Sequence, residues 1–226
     1  MQKRARTLLV WLHVVTSVGW LSQAVALLAL VLYGMRSGDR TAFEMARYLD
    51  HSVLAIMANT SAFTGFMLSA TTPWGYFRHW WVLAKFVITI VQLYIGIFIL
   101  SDNLQAAVNG HVNVWMPVGT ALMISAIAFQ AWLSVAKPWR RTPWADPKVK
   151  LPTASTVTFI AALVIPVIDF AISLWQGNPM PMLMLITVIG YSIRRAARGR
   201  RRSSGASGRG SAAGPARRDV TAPGPR

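Results

Sequence analysis

The chain of 226 residues contains no cysteine. Disulfides, iron–sulfur clusters and thiolate metal sites are therefore excluded. Acidic residues are nearly as scarce, seven against 23 Lys and Arg. Charged residues make up only 13% of the chain, where soluble domains carry about a quarter. Signatures of catalysis are missing too. There is no Ser/His/Asp order, no HExxH and no Gly-rich phosphate loop, so the sequence reads as that of a non-enzyme. The net charge of +16 raises the question of nucleic acid. The cations lie in loops and a tail, with no nucleic-acid-binding motif among them, and that partner is set aside.

What the chain has is long apolar runs. Hydrophobic residues reach 54% and fall in stretches of the length a bilayer requires. The runs predict an all-α, polytopic transmembrane helix bundle of about six spans, at residues 7–33, 51–70, 80–100, 115–136, 155–175 and 180–193. The first is too long for the apolar region of a signal peptide. Pro73 and Gly75 break the chain between the second and third. Pro117 suits the first turn of the fourth, and Pro166 falls inside the fifth. The sixth has only 14 residues, about 21 Å of helix against a core of about 30 Å.

Charge bias sets the orientation, because cytoplasmic segments are rich in Lys and Arg. With the N-terminus inside, Lys3, Arg4, Arg6, Arg78, Lys137, Arg140, Arg141, Lys148 and Lys150 are all inside. The outer segments are charge-balanced (Arg36, Arg40 and Arg47 against Asp39, Glu44 and Asp50) or, at 101–114, without Lys or Arg. Six spans also bring the ten arginines of residues 194–226 inside, so both termini are expected to be cytoplasmic. Trp11, Trp74, Trp80, Trp81, Trp139 and Trp144 then mark the inner boundary, and Trp115 and Trp175 the outer.

The tail, 194–226, is built of Arg, Gly, Ser, Ala and Pro, and such a composition predicts disorder. Its densest part, 194–202, suits anionic lipid headgroups. Arg-rich, Ala/Gly/Pro-rich usage points to a GC-rich bacterial genome, hence to a bacterial plasma membrane.

Polar groups inside lipid are costly and face the bundle interior. At helical spacing the spans give His13, Ser17, Trp20 and Ala24, with Gln23 beside them; His51, Ala55, Ala58, Ala62, Gly65 and Ser69; Lys85, Thr89, Gln92 and Gly96, reaching Asn103; Gly119, Ala126, Gln130 and Ser134, broken by Met123; and Thr158, Ala162, Pro166, Asp169, Ser173 and Gln176. Small residues on these faces let backbones approach, and the second span, richest in them, is expected at the centre. Depth sorts the polar seam into two layers. His13, Lys85 and Gln130 lie about 8 Å in from the inner side. Gln23, Asn59, Gln92 and Asp169 lie nearer the midplane.

Each of these residues has a plain reading and a functional one. Lys85 can snorkel to the inner interface or serve a solute. Asp169 is either a hydrogen-bonded structural residue or an ion handler. His13 is a packing residue or a proton carrier, and His51, His79 and His111 read as solvated. The pairing of His13 with His79 and of His51 with His111 resembles a two-haem arrangement in outline. The expected cofactor is none, with haem b or copper as alternatives. The expected role is non-enzymatic, with a small-solute or metal-ion permease as the first alternative and a haem-b electron carrier as the second.

The segment from His13 to Trp20 resembles the opening helix of copper-resistance-D-like membrane proteins, which place a Trp seven positions after a His. Thr64-Gly65, Trp81-Val82-Leu83-Ala84-Lys85 and Asn103 follow the same pattern. The stretch from Thr72 to Lys85 resembles a bacterial family of integral membrane proteins of unknown function. The resemblance covers roughly residues 8–105. Leu21-Ser22 stands where the copper-associated proteins often carry a Gly pair, and Met- and His-rich outer features are missing. The resemblance implies the fold more than it implies copper.

Overall fold

Helix α1 runs from Gln2 to Ser37 and ends on Gly38, whose φ of 71° lets its amide close back onto the Gly34 carbonyl. Asp39 then caps α2 (Arg40–Leu49), its side chain accepting from the Thr41 amide at 2.9 Å. A single π-helical stretch, Asp50–Leu54, carries α2 directly into α3 (Ala55–Thr71). The next pair repeats the device: α4 (Trp80–Ile95) passes through a π stretch, Gly96–Leu100, into α5 (Ser101–Val108). Helices α6 (Trp115–Ala136), α7 (Thr156–Gln176) and α8 (Met182–Gly210) follow. The computed structural model describes residues 1–145 and 153–210, the last thirteen of these (198–210) by backbone alone. Among the described residues the only β pairing is an isolated bridge between His79 and Arg141.

Among the described residues the fold is all-helical, and five helices are long and apolar enough to cross a membrane: Gln2–Ser37, Arg40–Thr71, Trp80–Val108, Trp115–Ala136 and Thr156–Gln176. Burial shows what solvent they suit. On α7, Phe159, Ala162, Pro166 and Asp169 are buried, while Val157, Val164, Val167, Phe170 and Leu174 are exposed. Elsewhere Thr60, Ser61, Thr64, Thr89, Gln92, Thr120 and Gln130 are buried beneath exposed Val, Ile and Leu. A polar interior under an apolar exterior fits lipid and not water. This is a multi-pass membrane protein.

Helix ends differ from the sequence reading. Residues 40–49 and 101–108, expected in loops, are helical extensions packed on each other, α2 against α5. Ser101, which opens α5, donates to the Asp50 carboxylate at 2.6 Å and so ties the start of α5 to the first π-helical stretch. The sixth apolar run opens α8, which continues to Gly210 and so enters the segment read as an unstructured tail. Residues 211–226 of that tail lie outside the described residues, as do Lys148 and Lys150.

Two compact units divide the chain at Val188/Ile189, and all packing described here lies within Met1–Val188. Helix α3, expected at the centre, has nine of its 17 residues buried, against eight of 36 in α1. Helix α1 nonetheless touches more partners: α2, α3, α6 and α7. Toward the Ser37 end the core is Leu27, Val31, Phe43, Ala46, Leu104 and Met116. Below it Trp20, Ala24, Ala58, Met123 and Ile127 form a second cluster.

Candidate functional site: a cavity bounded by α1, α3, α4 and α6

Below Trp20, beside a core that continues through Leu9, Met67, Leu133 and Phe159, a cavity of about 720 Å³ opens. Helix α1 contributes Arg6, His13 and Ser17; α3 contributes Ser61, Gly65 and Ser69; α4 contributes Trp81, Lys85 and Thr89; α6 contributes Gln130 and Ser134. Trp20 and Ile127 belong both to its lining and to the cluster above it, so they are its floor. The other end reaches the helix termini, where Arg6 and Trp74 are exposed.

His13 is fixed against α3. Its Nδ1 lies 3.0 Å from the Ser61 carbonyl and 3.0 Å from Thr64 Oγ1. A carbonyl only accepts, so Nδ1 carries the proton, and in the neutral ring Nε2 is left as an acceptor. Ser17 donates to the His13 carbonyl at 2.6 Å and lies 2.7 Å from Ser61 Oγ. A Cβ on Gly65 would stand 3.0 Å from the ring's Cε1, so only glycine leaves the imidazole its full room. No buried side-chain nitrogen or oxygen among the described residues lacks a partner. Nε2, which makes no bond, therefore faces the cavity.

The opposite wall is a polar ladder between α4 and α6. Lys85 Nζ donates to Ser134 Oγ at 2.7 Å, and Ser134 donates to the Gln130 carbonyl at 2.9 Å. Thr89 donates to Gln130 Oε1 at 2.9 Å, Gln130 Nε2 donates to Gln92 Oε1, and Gln92 Nε2 donates to the Met123 carbonyl at 3.1 Å. Lys85 is half-buried and bonded inside the bundle, close to the end of α6. Gln92, placed with Asp169 by depth, belongs instead to this ladder. Met123 does not break the α6 face: it is buried on it, and its carbonyl and sulfur receive the Gln92 amide.

The remaining seam residues go elsewhere. Both oxygens of Asp169, 1% exposed, accept backbone amides at the start of α8, from Leu183 at 3.2 Å and Met184 at 2.8 Å. Asn59 Nδ2 donates to the Pro179 carbonyl at 3.1 Å, and His51 Nε2 lies 3.1 Å from the Gly177 carbonyl. All three therefore satisfy the backbone of residues 177–184, a non-helical entry followed by a helix start. Lipid would leave those groups unbonded. Gln23 is half-buried and joins neither network. Asn103 bonds its own helix, at Ile99.

The loops at the cavity's open end lock together. Thr142 Oγ1 and Trp144 Nε1 both donate to the Phe77 carbonyl, the Thr142 amide donates to the Arg78 carbonyl, and Lys137 stands 5.4 Å over the Trp74 ring. His79, read as solvated, packs edge-on to Trp74 and lies 3.4 Å from its carbonyl. Burial lowers its pKa below the ordinary value, Arg141 and Arg78 act in the same direction, and the carbonyl opposes them. The four histidines thus occupy four separate places, and His111 is exposed in the 109–114 loop.

Sequence reasoning missed Ser61 and Thr64 as partners of His13, although Ser61, Gly65 and Ser69 repeat at four-residue steps. It also missed His51 as a bonded residue. No family model, curated protein or solved structure matches the chain. The residues His13, Trp20, Gly65, Trp81 and Lys85, singled out by short motifs along 8–105, all line this one cavity.

Proposed function

We propose that the protein is a permease-like ligand-binding protein, not an enzyme, and that the cavity between α1, α3, α4 and α6 is its binding site. One observation carries the reading: the cavity is one-sided. It holds His13 and Lys85 with free bonding capacity, is floored by Trp20 and Ile127, and is backed by two apolar clusters toward the Ser37 end. A volume of about 720 Å³ lies within the roughly 300–1,000 Å³ of small-molecule sites. A site reachable from one side and plugged toward the other is one state of an alternating-access cycle.

The same proposal places the chain in a bacterial plasma membrane with six crossings and both ends cytoplasmic. Lys and Arg bias supports the orientation. The short sixth run is supported by Asp169. That residue lies about 20 Å from the Thr156 end of α7 by helical rise. A helix that starts at its level needs only about 12 apolar residues to finish the crossing, and the run from Met182 to Ile193 has that length. The arginines at 194–202 would then meet anionic headgroups at the inner surface.

A chain without cysteine makes the test direct. Ser69→Cys, in the cavity, and Asn109→Cys, in the opposite loop, are treated with a membrane-impermeant maleimide in inside-out vesicles and in intact cells. Ser69→Cys should react from the cytoplasmic side and Asn109→Cys from the outside. A Ser69→Cys that reacts from the outside, or from neither side, overturns the one-sided site.

A further inference from the structure

The lining of this cavity carries information about its occupant. No Asp or Glu among the described residues lines it, whereas Arg6 and Lys85 do. Arg6 is exposed and without an ion-pair partner among the described residues, and Lys85 uses one of its three donors on Ser134. Lys137, over the Trp74 ring, adds a third cation near the mouth. The field therefore selects an anion. The rest of the wall is apolar, and part of it is not interior at all. Val10, Val14 and Val18, four residues apart on α1, line the cavity yet are 43%, 52% and 57% exposed. The cavity thus opens sideways onto the flank of the bundle, where acyl chains lie. A small hydrophilic solute would have no use for that opening or that wall.

We propose that the cavity takes an anionic amphiphile, an acyl chain ending in a carboxylate or phosphate head. The head sits at Lys85 and Arg6, and the chain lies along Val10, Val14 and Val18. His13 Nε2, an acceptor facing the cavity, favours a head that also offers a hydroxyl or acid proton. Carboxylate and phosphate heads reach such a site either as free single-chain acids or as lipids of the bilayer. The inference rests on the cavity being a ligand site, as proposed above.

Native mass spectrometry of the full chain in a non-ionic detergent tests it, with hexadecanoate, phosphatidylglycerol and zwitterionic phosphatidylcholine as probes. Variants are compared at matched helical circular dichroism. One equivalent of an anionic probe should be retained, about tenfold more tightly than phosphatidylcholine, with about tenfold lost for each of Lys85→Met and Arg6→Gln, the size of one charge-assisted contact. Preference for hexadecanoate identifies a free acid, and preference for phosphatidylglycerol a bilayer lipid. Ser17→Phe, or Ser69→Phe if the first fails to fold, should abolish retention by filling the space. Equal retention of phosphatidylcholine, or indifference to both cation variants, overturns the anionic amphiphile while the filling variant still upholds a ligand site. Retention unchanged in the filling variant removes both.

Discussion

Two polar regions of this protein contrast sharply. At the α7–α8 junction, Asp169, Asn59 and His51 bond the backbone of residues 177–184. In the cavity, His13 and Lys85 are held in place by Ser61, Thr64 and Ser134 and keep bonding capacity open. Both sets are polar residues in apolar helices, and depth alone ranks Asp169 as the more suspicious. The partner decides otherwise. A buried carboxylate that takes up two helix-start amides is architecture, because those amides have no other acceptor in lipid. An imidazole with a bare nitrogen facing a cavity is available for chemistry.

The contrast can be broken most severely at Asp169. Replacement by Ala leaves two buried amides without acceptors and should cost about 2–4 kcal/mol, read as a drop in the unfolding midpoint in mixed micelles. Asp169→Asn keeps one acceptor and should recover about half of the loss. An Asp169→Ala variant as stable as the parent would show that the junction is not architecture.

Next in size is the α4–α6 ladder. Gln130→Leu strands Thr89 and Gln92 and should cost about 1–2 kcal/mol. Adding Gln92→Leu should cost less than the sum, because the two amides bond each other. Strict additivity in a double-mutant cycle would count against that bond.

On the cavity side stability should hardly respond. Lys85→Met is expected within about 0.6 kcal/mol of the parent, the mean found for polar pairs in membrane bundles, while ligand retention falls. A large loss of stability would move Lys85 into the architectural class with Asp169.

The smallest effect concerns His79 at the cavity's open end. Its depressed pKa means that the folded protein binds fewer protons there than the unfolded chain. Stability is therefore undiminished above the ordinary value of 6.5 and falls as pH drops from there through the folded value. His79→Gln should flatten that part of the pH–stability curve, and a curve of unchanged slope would place the titration elsewhere.

Much of the helical layout was legible because hydropathy and breakers act locally: Pro73 and Gly75 fall between helices, as expected. The π-helical continuations were not legible. Residues 40–49 and 101–108 look like loop by their polarity, and what supports them as helices is the Asp39 cap and the packing of α2 on both α1 and α5. On α4, the face of Lys85, Thr89 and Gln92 followed directly from four- and three-residue steps. The face of α6 was misread at Met123, since periodicity of polarity says nothing about a backbone carbonyl acting as acceptor. Depth counted along each helix put His13 and Lys85 together correctly. It failed for Gln92, whose long side chain reaches to Gln130 across the helix interface.

The sequence by itself determined that this chain belongs in a bilayer, since apolar runs and the transfer energetics of side chains need no partner to be read. It also determined which residues would be costly to leave facing lipid. Only the tertiary structure decided what those residues do, because hydrogen bonds join groups far apart in sequence: Asp169 to a helix that begins 13 residues later, His13 to a carbonyl 48 residues on. Bonding capacity left open is a property of the assembled bundle, and it lies beside α1, at His13 and Lys85.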